Sequence, residues 1–304
     1  MRASVVIPTF NRLADLQHVV AAVRGQAKPP GVELEVVVVD DGSSDGTWEW
    51  LSGEVDNREV TSVRQENAGP ARARNRGADS ARGDVLLFLG DDTVPADGWL
   101  LAHLEEHRLF GGGDKATAVL GYTSFPPDTD SPFRIFINEW GAQFGYLLIE
   151  DPCAVPFNFF YTSNISLSRD RFLRDGGFRE DFPAAAWEDI EFAYRGSRNG
   201  LAIRYQPRAR VVHHHCVRPR TFCRRQRTSG QSAAIFAGLH PELGQFLGVE
   251  RVKARGTPGR MHRLALWLMV ELGERIPGVV PNRIYQDFLV ACYSVGLAEG
   301  LHSL

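Results

Sequence analysis

Val85-Leu86-Leu87-Phe88-Leu89-Gly90-Asp91-Asp92 sets five apolar residues in a row before a turn residue and two carboxylates. An unbroken apolar run of this length, without alternation, is what a central strand covered on both faces requires. Working outward, Val5-Val6-Ile7 ends in Pro8-Thr9-Phe10-Asn11-Arg12, and Glu35-Val36-Val37-Val38-Val39 ends in Asp40-Asp41-Gly42-Ser43-Ser44-Asp45-Gly46. Between these runs Leu13, Leu16, Val19, Val20 and Val23 recur at helical spacing and predict a helix with one apolar face. Strands alternating with helices over residues 1–120 imply an α/β fold on a mostly parallel sheet, with helices on both faces. Open sheets of this kind bind ligands at the carboxyl ends of their strands. Two of the three strand ends are acidic, which suits a divalent cation and, through it, a phosphorylated ligand.

The whole chain has 304 residues, 43% hydrophobic and 23% charged, a globular composition that excludes disorder, collagen and coiled coil. A chain of this length buries a sizeable core without staples. Cys153, Cys216, Cys223 and Cys292 show no zinc-like spacing and are too sparse for a disulfide framework, so the expectation is a reduced, cytoplasmic protein. The N-terminus runs directly into a strand and reads as no signal peptide. Leu264 to Val270, the most apolar later run, falls far short of a membrane span. A net charge of −3 argues against nucleic acid as a partner, because phosphate-backbone affinity needs surplus cations. Lysine is confined to Lys28, Lys115 and Lys253, whereas arginines cluster at Arg218, Arg220, Arg224, Arg225 and Arg227.

From Tyr122 to Tyr161 the chain turns Pro- and aromatic-rich, with Phe133, Phe136, Trp140, Phe144 and Phe160 among others. This stretch is either a binding wall or core contributed by irregular chain. Beyond His215 helical spacing returns, in Leu264, Trp267 and Leu268 and again in Phe288, Cys292 and Val295.

Five motifs in order carry a resemblance: Val5 to Arg12, Val38 to Thr47, Asn67-Ala68-Gly69-Pro70-Ala71-Arg72-Ala73-Arg74-Asn75-Arg76-Gly77, Phe88 to Asp92, and Trp187-Glu188-Asp189. Together they are similar to those of the family 2 nucleotide-sugar glycosyltransferases, inverting enzymes with the GT-A fold, over roughly residues 1–215. The resemblance implies a GT-A domain over 1–215, its donor half about 1–120 and acceptor half about 121–215, followed by a helical C-terminal extension over 216–304. It implies transfer of a sugar from a nucleoside-diphosphate donor to an acceptor hydroxyl.

Residue by residue, the resemblance assigns Asp40 to the imide of a uracil or thymine base, and Pro8, Thr9, Asn11 and Arg12 to the donor pocket. Arg74 matches the family's base- or diphosphate-contacting arginine, and Asn164 in Tyr161-Thr162-Ser163-Asn164-Ile165-Ser166 would stand beside the sugar. Gly90-Asp91-Asp92 occupies the Asp-x-Asp position with glycine in place of the first carboxylate, leaving Asp92 as metal ligand and Asp91 as a ribose or outer partner. In Val211-Val212-His213-His214-His215, alternate residues share a face. His213, ahead of His215, is the metal-ligand choice, and imidazole tilts the preference from Mg²⁺ toward Mn²⁺. Asp189 aligns with the general base, and Glu188 beside it is a further candidate, with a helix-dipole role as its rival. Asp45 reads as a turn or cap residue.

For the arginine cluster a solvated helix face comes first, with Arg224 and Arg227 the candidates for phosphate contact. The Leu264 to Val270 run beside Arg260 and Arg263 permits peripheral contact at the inner membrane face, a buried helix or a homodimer. Glycan, lipid-linked and small-molecule acceptors all remain open. A dinucleotide oxidoreductase is excluded because no Gly-x-Gly-x-x-Gly follows the first strand. The remaining rival is a non-catalytic or metal-independent nucleotide-sugar binder of the same fold.

Overall fold

Valine and leucine runs fit a pleated, buried surface, and in the computed structural model they form one sheet. The structure describes residues 1–53, 60–110, 116–126, 131–141, 143–184, 186–215 and 217–303. In chain order it begins β1 (Arg2–Thr9), α1 (Leu13–Arg24), β2 (Glu33–Asp40), α2 (Thr47–Gly53), β3 (Val60–Arg64), α3 (Pro70–Ser80), β4 (Val85–Leu89), β5 (Thr93–Pro95), α4 (Trp99–Phe110) and β6 (Thr117–Ser124). Then follow α5 (Pro132–Glu139), β7 (Asn164–Ser168), α6 (Arg169–Arg174), α7 (Glu188–Arg198) and β8 (Ala202–His213). The chain ends in α8 (Pro219–Leu239), α9 (Val249–Arg255), α10 (Arg260–Arg275) and α11 (Asn282–Ser303).

Among the described residues the sheet has eight strands in the order β3-β2-β1-β4-β7-β6-β8-β5. Strands β3, β2, β1 and β4 are mutually parallel, β7 runs against both β4 and β6, and β8 is parallel to β6. It follows that β1, β2, β4 and β8 all end on one edge of the sheet, where β7 starts.

Alternation along each strand sorts the core into two layers. Val5, Ile7, Leu87 and Leu89 pack with Leu16, Val19, Val20 and Val23 of α1 and with Trp99. On the opposite face Phe88 meets Phe172 and Phe178 at ring-centroid distances of 5.1 and 5.2 Å, and Phe192 closes that cluster. There α3 lies close on β1, because a Cβ on Gly77 would come within 2.4 Å of Val6. Helices therefore cover both faces, as the unbroken apolar runs require. Asp45 accepts from the backbone of Leu13 and Thr47, so one carboxylate caps the starts of α1 and α2.

Contacts divide the chain into two compact units: Met1–Pro126, Ile149–Glu180 and Glu188–His215 in the first, Pro127–Leu148, Asp181–Trp187 and Cys216–Leu304 in the second. The second unit takes in more than the C-terminal helices expected from sequence. Phe133 of α5 packs edge-on against Phe222 of α8 at 5.7 Å, and Phe136 lies 5.5 Å from Tyr285 of α11. The aromatics of 122–161 are thus mostly core: Phe133, Phe136, Phe144, Tyr146 and Phe160 are buried, while Trp140 is exposed.

Within the second unit Cys223 of α8 is bonded to Cys292 of α11, with Cα atoms 5.5 Å apart. This corrects the reading of the cysteines as unpaired and removes their number as an argument for a reducing compartment. The partners are 69 residues apart, a separation at which only helix packing reveals the pairing. Cys153 is free and exposed; Cys216 and Lys115 lie outside the described residues. Among the described residues no helix is long and apolar enough to cross a membrane.

Candidate active site

The shared sheet edge gathers the polar strand ends of the first unit. At the end of β2, Asp40 is fully buried. Its Oδ1 accepts from the Ser43 backbone at 2.9 Å, while Oδ2 has no hydrogen-bond partner among the described residues and lies 3.4 Å from Arg64 Nε. A buried carboxylate oxygen without a hydrogen bond is costly unless something completes it, and a ligand N–H would. Neighbouring Asp41 is engaged: it accepts from Gln65 Nε2 and from the Ala68 and Gly69 backbones, closing the 65–69 loop. Gly42 stands at φ 82°, with the Asn67 backbone 3.0 Å from where a Cβ would be. Only glycine fits there without strain.

At the end of β1, Thr9 donates to Asp91 Oδ2 at 2.9 Å. Asn11 adopts φ 54° and accepts from the Ser44 backbone, which ties the first strand end to the second. Half-buried Pro8 precedes them. Arg12 donates to Asp92 Oδ2 at 2.6 Å and also approaches Asp91, Asp15 and the His215 ring nitrogen.

Strand β8 brings in the histidines. Thr93 pairs with His213, and the His214 backbone donates to the Asp92 carbonyl. His213 Nε2 thereby faces Asp92 Oδ2 across 3.3 Å. The His213 ring stacks on Phe125 at 5.8 Å and on His215 at 5.7 Å, so His213 and His215 share one side as alternation requires. Burial alone would raise Asp92, but His213, Arg12 and His215 outweigh it and hold the carboxyl well below its ordinary range. Burial and the adjacent Asp92 charge push Asp91 up to about 7.

Could this group hold a divalent ion? Two donors bound at right angles to one Mg²⁺-sized ion sit about 3 Å apart, which Asp92 Oδ2 and His213 Nε2 match. Among the described residues no cluster of three His, Cys, Asp or Glu converges for a metal. The residues fit a half-site, two protein ligands whose remaining positions fall to water and to ligand oxygens.

A second carboxylate pair opens α7. Glu188 is buried and accepts from Arg74 Nη1 of α3 at 2.9 Å, while Glu188 Oε2 and Arg74 Nε have no hydrogen-bond partner among the described residues. Half-buried Asp189 accepts from both the backbone and the hydroxyl of Thr162 at 3.2 Å. Thr162 lies two residues before Asn164, which pairs with Leu89, itself two residues before Asp91. The two pairs accordingly belong to one sheet edge. Burial and the Asp189 charge push Glu188 up to about 7, and burial raises Asp189 against the pull of Arg74 and Thr162. Trp187, immediately before them, has φ 78°. A bulky residue in this left-handed region is strained, and such strain concentrates at functional sites.

Some residues stand elsewhere than the resemblance implied. Arg74 lies on Glu188, not open toward a diphosphate. Asn164 is fully enclosed: its oxygen accepts from Trp99 Nε1 at 2.8 Å and meets His103 Nε2, and its nitrogen donates to the Tyr122 and Ala209 carbonyls. All four of its hydrogen-bonding positions are used, so Asn164 has nothing left for a sugar and instead holds β7 in place. Arg227 forms an exposed pair with Glu299 inside the second unit, and Arg224 is exposed on α8. Two contributors escaped the sequence reading. Arg64, at the end of β3, contacts Asp40, donates to the Ser43 carbonyl and lies over Trp48. Its signal was the strand-end rule itself, applied to a weaker strand. Thr162 had none beyond its place beside Asn164.

Residues 4–123 match the family model "Glycosyl transferase family 2". A validoxylamine A glucosyltransferase of Streptomyces hygroscopicus subsp. limoneus is 32% identical over 224 residues, 66% of this chain and 49% of that protein. The chain spans about half the length of the curated relatives it matches first. Among solved structures, the mannosyltransferase PcManGT from Pyrobaculum calidifontis, in complex with GDP-Man and Mn²⁺, has a TM-score of 0.63 at 20% identity, covering 99% of this chain and 86% of that one. S. aureus TarS 1-349 in complex with UDP-GlcNAc has a TM-score of 0.55 at 16% identity, covering 100% and 91%. The strand-end motifs and the mixed sheet agree with these likenesses: residues 4–123 carry the glycosyl transferase family 2 match, and the chain has a GT-A fold.

Proposed function

We propose that this chain transfers a sugar from a nucleoside-diphosphate sugar to an acceptor hydroxyl with inversion at the anomeric carbon. The observation that carries the reading is the pair of carboxylate pairs on one sheet edge, linked through the Leu89–Asn164 register and Thr162. Asp189, its carboxylate oriented by Thr162, takes the proton of the acceptor hydroxyl as that oxygen forms its bond to the anomeric carbon. The bond to the diphosphate oxygen breaks on the opposite face, and the nucleoside diphosphate leaves. Arg12 meets the charge that develops on it. Asp40 Oδ2 accepts from the imide N–H of a pyrimidine base, which satisfies the oxygen otherwise without a hydrogen bond. Asp92 and His213 would hold Mn²⁺ or Mg²⁺, which supplies Lewis-acid neutralisation of the diphosphate.

A metal-independent form of the same reading has one observation in its favour. Arg12 occupies the Asp92 oxygen that faces His213, and Gly90 stands where a further carboxylate would be. Calorimetric titration with UDP, dTDP, GDP and ADP, with and without Mn²⁺, tests both forms. Metal-dependent binding of one pyrimidine diphosphate supports the first. Binding indifferent to metal leaves Arg12 as the counter-charge, and no binding of any overturns the donor assignment.

A further inference from the structure

Helix α10 is apolar on both of its sides. Leu266, Val270 and Gly273 are buried on the inner one. The outer side carries Met261, Leu264, Leu268 and Leu272, spaced three to four residues apart so that they form one stripe. The stripe continues past the helix end into Ile276 and Val279, with Met261 76%, Leu268 54% and Ile276 52% exposed. A contiguous exposed apolar stripe of this length marks an interaction surface.

Charge indicates its partner. Arg260 is exposed at the start of the helix, with exposed Lys253 and Arg255 shortly before it in the chain, and Arg275 is exposed in its last turn, with exposed Arg283 shortly after. Of the carboxylates of the helix, Glu271 is half-buried one turn before Arg275, and Glu274 accepts from the Ser131 hydroxyl and the Phe133 backbone. Asp287 lies by Arg283 on α11. A second copy of the chain laid on this stripe brings cationic end onto cationic end whether the two helices run parallel or antiparallel. An apolar layer bearing negative headgroups meets both requirements at once.

We propose that the outer face of α10, continued by Ile276 and Val279, seats on an anionic lipid surface. The apolar stripe enters the headgroup boundary, and Arg260 and Arg275 lie on lipid phosphates. The contact is peripheral, and it stands independently of the transfer reading.

Flotation of the full chain with phosphatidylcholine vesicles, with and without phosphatidylglycerol, is the test. The chain floats with the anionic vesicles alone and is released by salt. Leu268→Glu with Leu272→Glu, both at exposed positions, lowers the bound fraction about tenfold or more, and Arg260→Glu with Arg275→Glu lowers it while leaving the stripe intact. Circular dichroism of each variant shows that the helices persist. Binding equally to neutral vesicles, or unchanged in either double variant, overturns the proposal. So does a soluble dimer that Leu268→Glu dissociates in a chain that ignores vesicles.

Discussion

Two carboxylate pairs share one edge of the sheet, and each faces an arginine, yet their surroundings drive them apart. Asp91 and Asp92 meet Arg12, His213 and His215. That concentration of positive and hydrogen-bonding groups holds Asp92 ionised even though it is buried. Glu188 and Asp189 have Arg74 beside them, and burial prevails, raising both. The first pair thus splits, with Asp91 raised to about 7 and Asp92 kept negative, as its proposed place beside a cation or a developing diphosphate needs. In the second pair both carboxyls are raised, which suits the proposed general-base role of Asp189. The chemistry is the same in both; the number of compensating partners separates the roles.

The sharpest way to break this comparison is to neutralise one member of each pair. Asp189→Asn removes the proposed base while keeping its Thr162 contacts, and it lowers kcat by about 10²–10⁴-fold with donor affinity unchanged, measured by product formation and calorimetry. A parallel loss of donor binding would move Asp189 into the donor pocket. Asp92→Ala does the converse, weakening metal-dependent donor binding by about 10–100-fold, read by titration at fixed Mn²⁺.

The second pair can be sharpened through its neighbours. Arg74→Gln removes the cation that favours ionised Asp189, so the acid limb of kcat/KM against pH moves up by about one unit. Glu188→Gln removes a like charge and moves the same limb down. Opposite shifts identify an electrostatic role, whereas a purely structural one lowers activity without moving the limb.

The smallest effect is on stability. Glu188 is raised from its ordinary value to about 7 in the folded chain, so the folded state holds a proton that the unfolded state releases at lower pH. Its contribution is fully present below about pH 4.5 and is lost as pH rises through about 7. Glu188→Gln flattens that decline, by an amount on the order of a few kcal/mol at most, in denaturant melts across the pH window.

What the sequence reveals follows from the range of the interactions. Strands β1, β2 and β4, the face of α1, the Asp45 cap of α2 and the shared side of His213 and His215 are set by neighbours within a few residues, and all are legible in pattern and spacing. The Arg74–Glu188 pair joins residues 114 apart, and the Cys223–Cys292 bond joins helices 69 residues apart. No local period records such contacts. Asn164 shows the converse failure: its motif invites a ligand role, but a residue at a strand start beneath Trp99 and His103 has its polar atoms satisfied by the core. A strand-end polar residue serves a ligand when its own partners leave an atom unsatisfied, as at Asp40 Oδ2.

The most direct test of the division between the two pairs is one titration series: UDP into the Asp92→Ala and Asp189→Asn proteins, each with and without Mn²⁺. The account predicts that Asp189→Asn retains the full metal enhancement of binding and Asp92→Ala loses it. Equal metal enhancement in both, or its loss in Asp189→Asn alone, would contradict it.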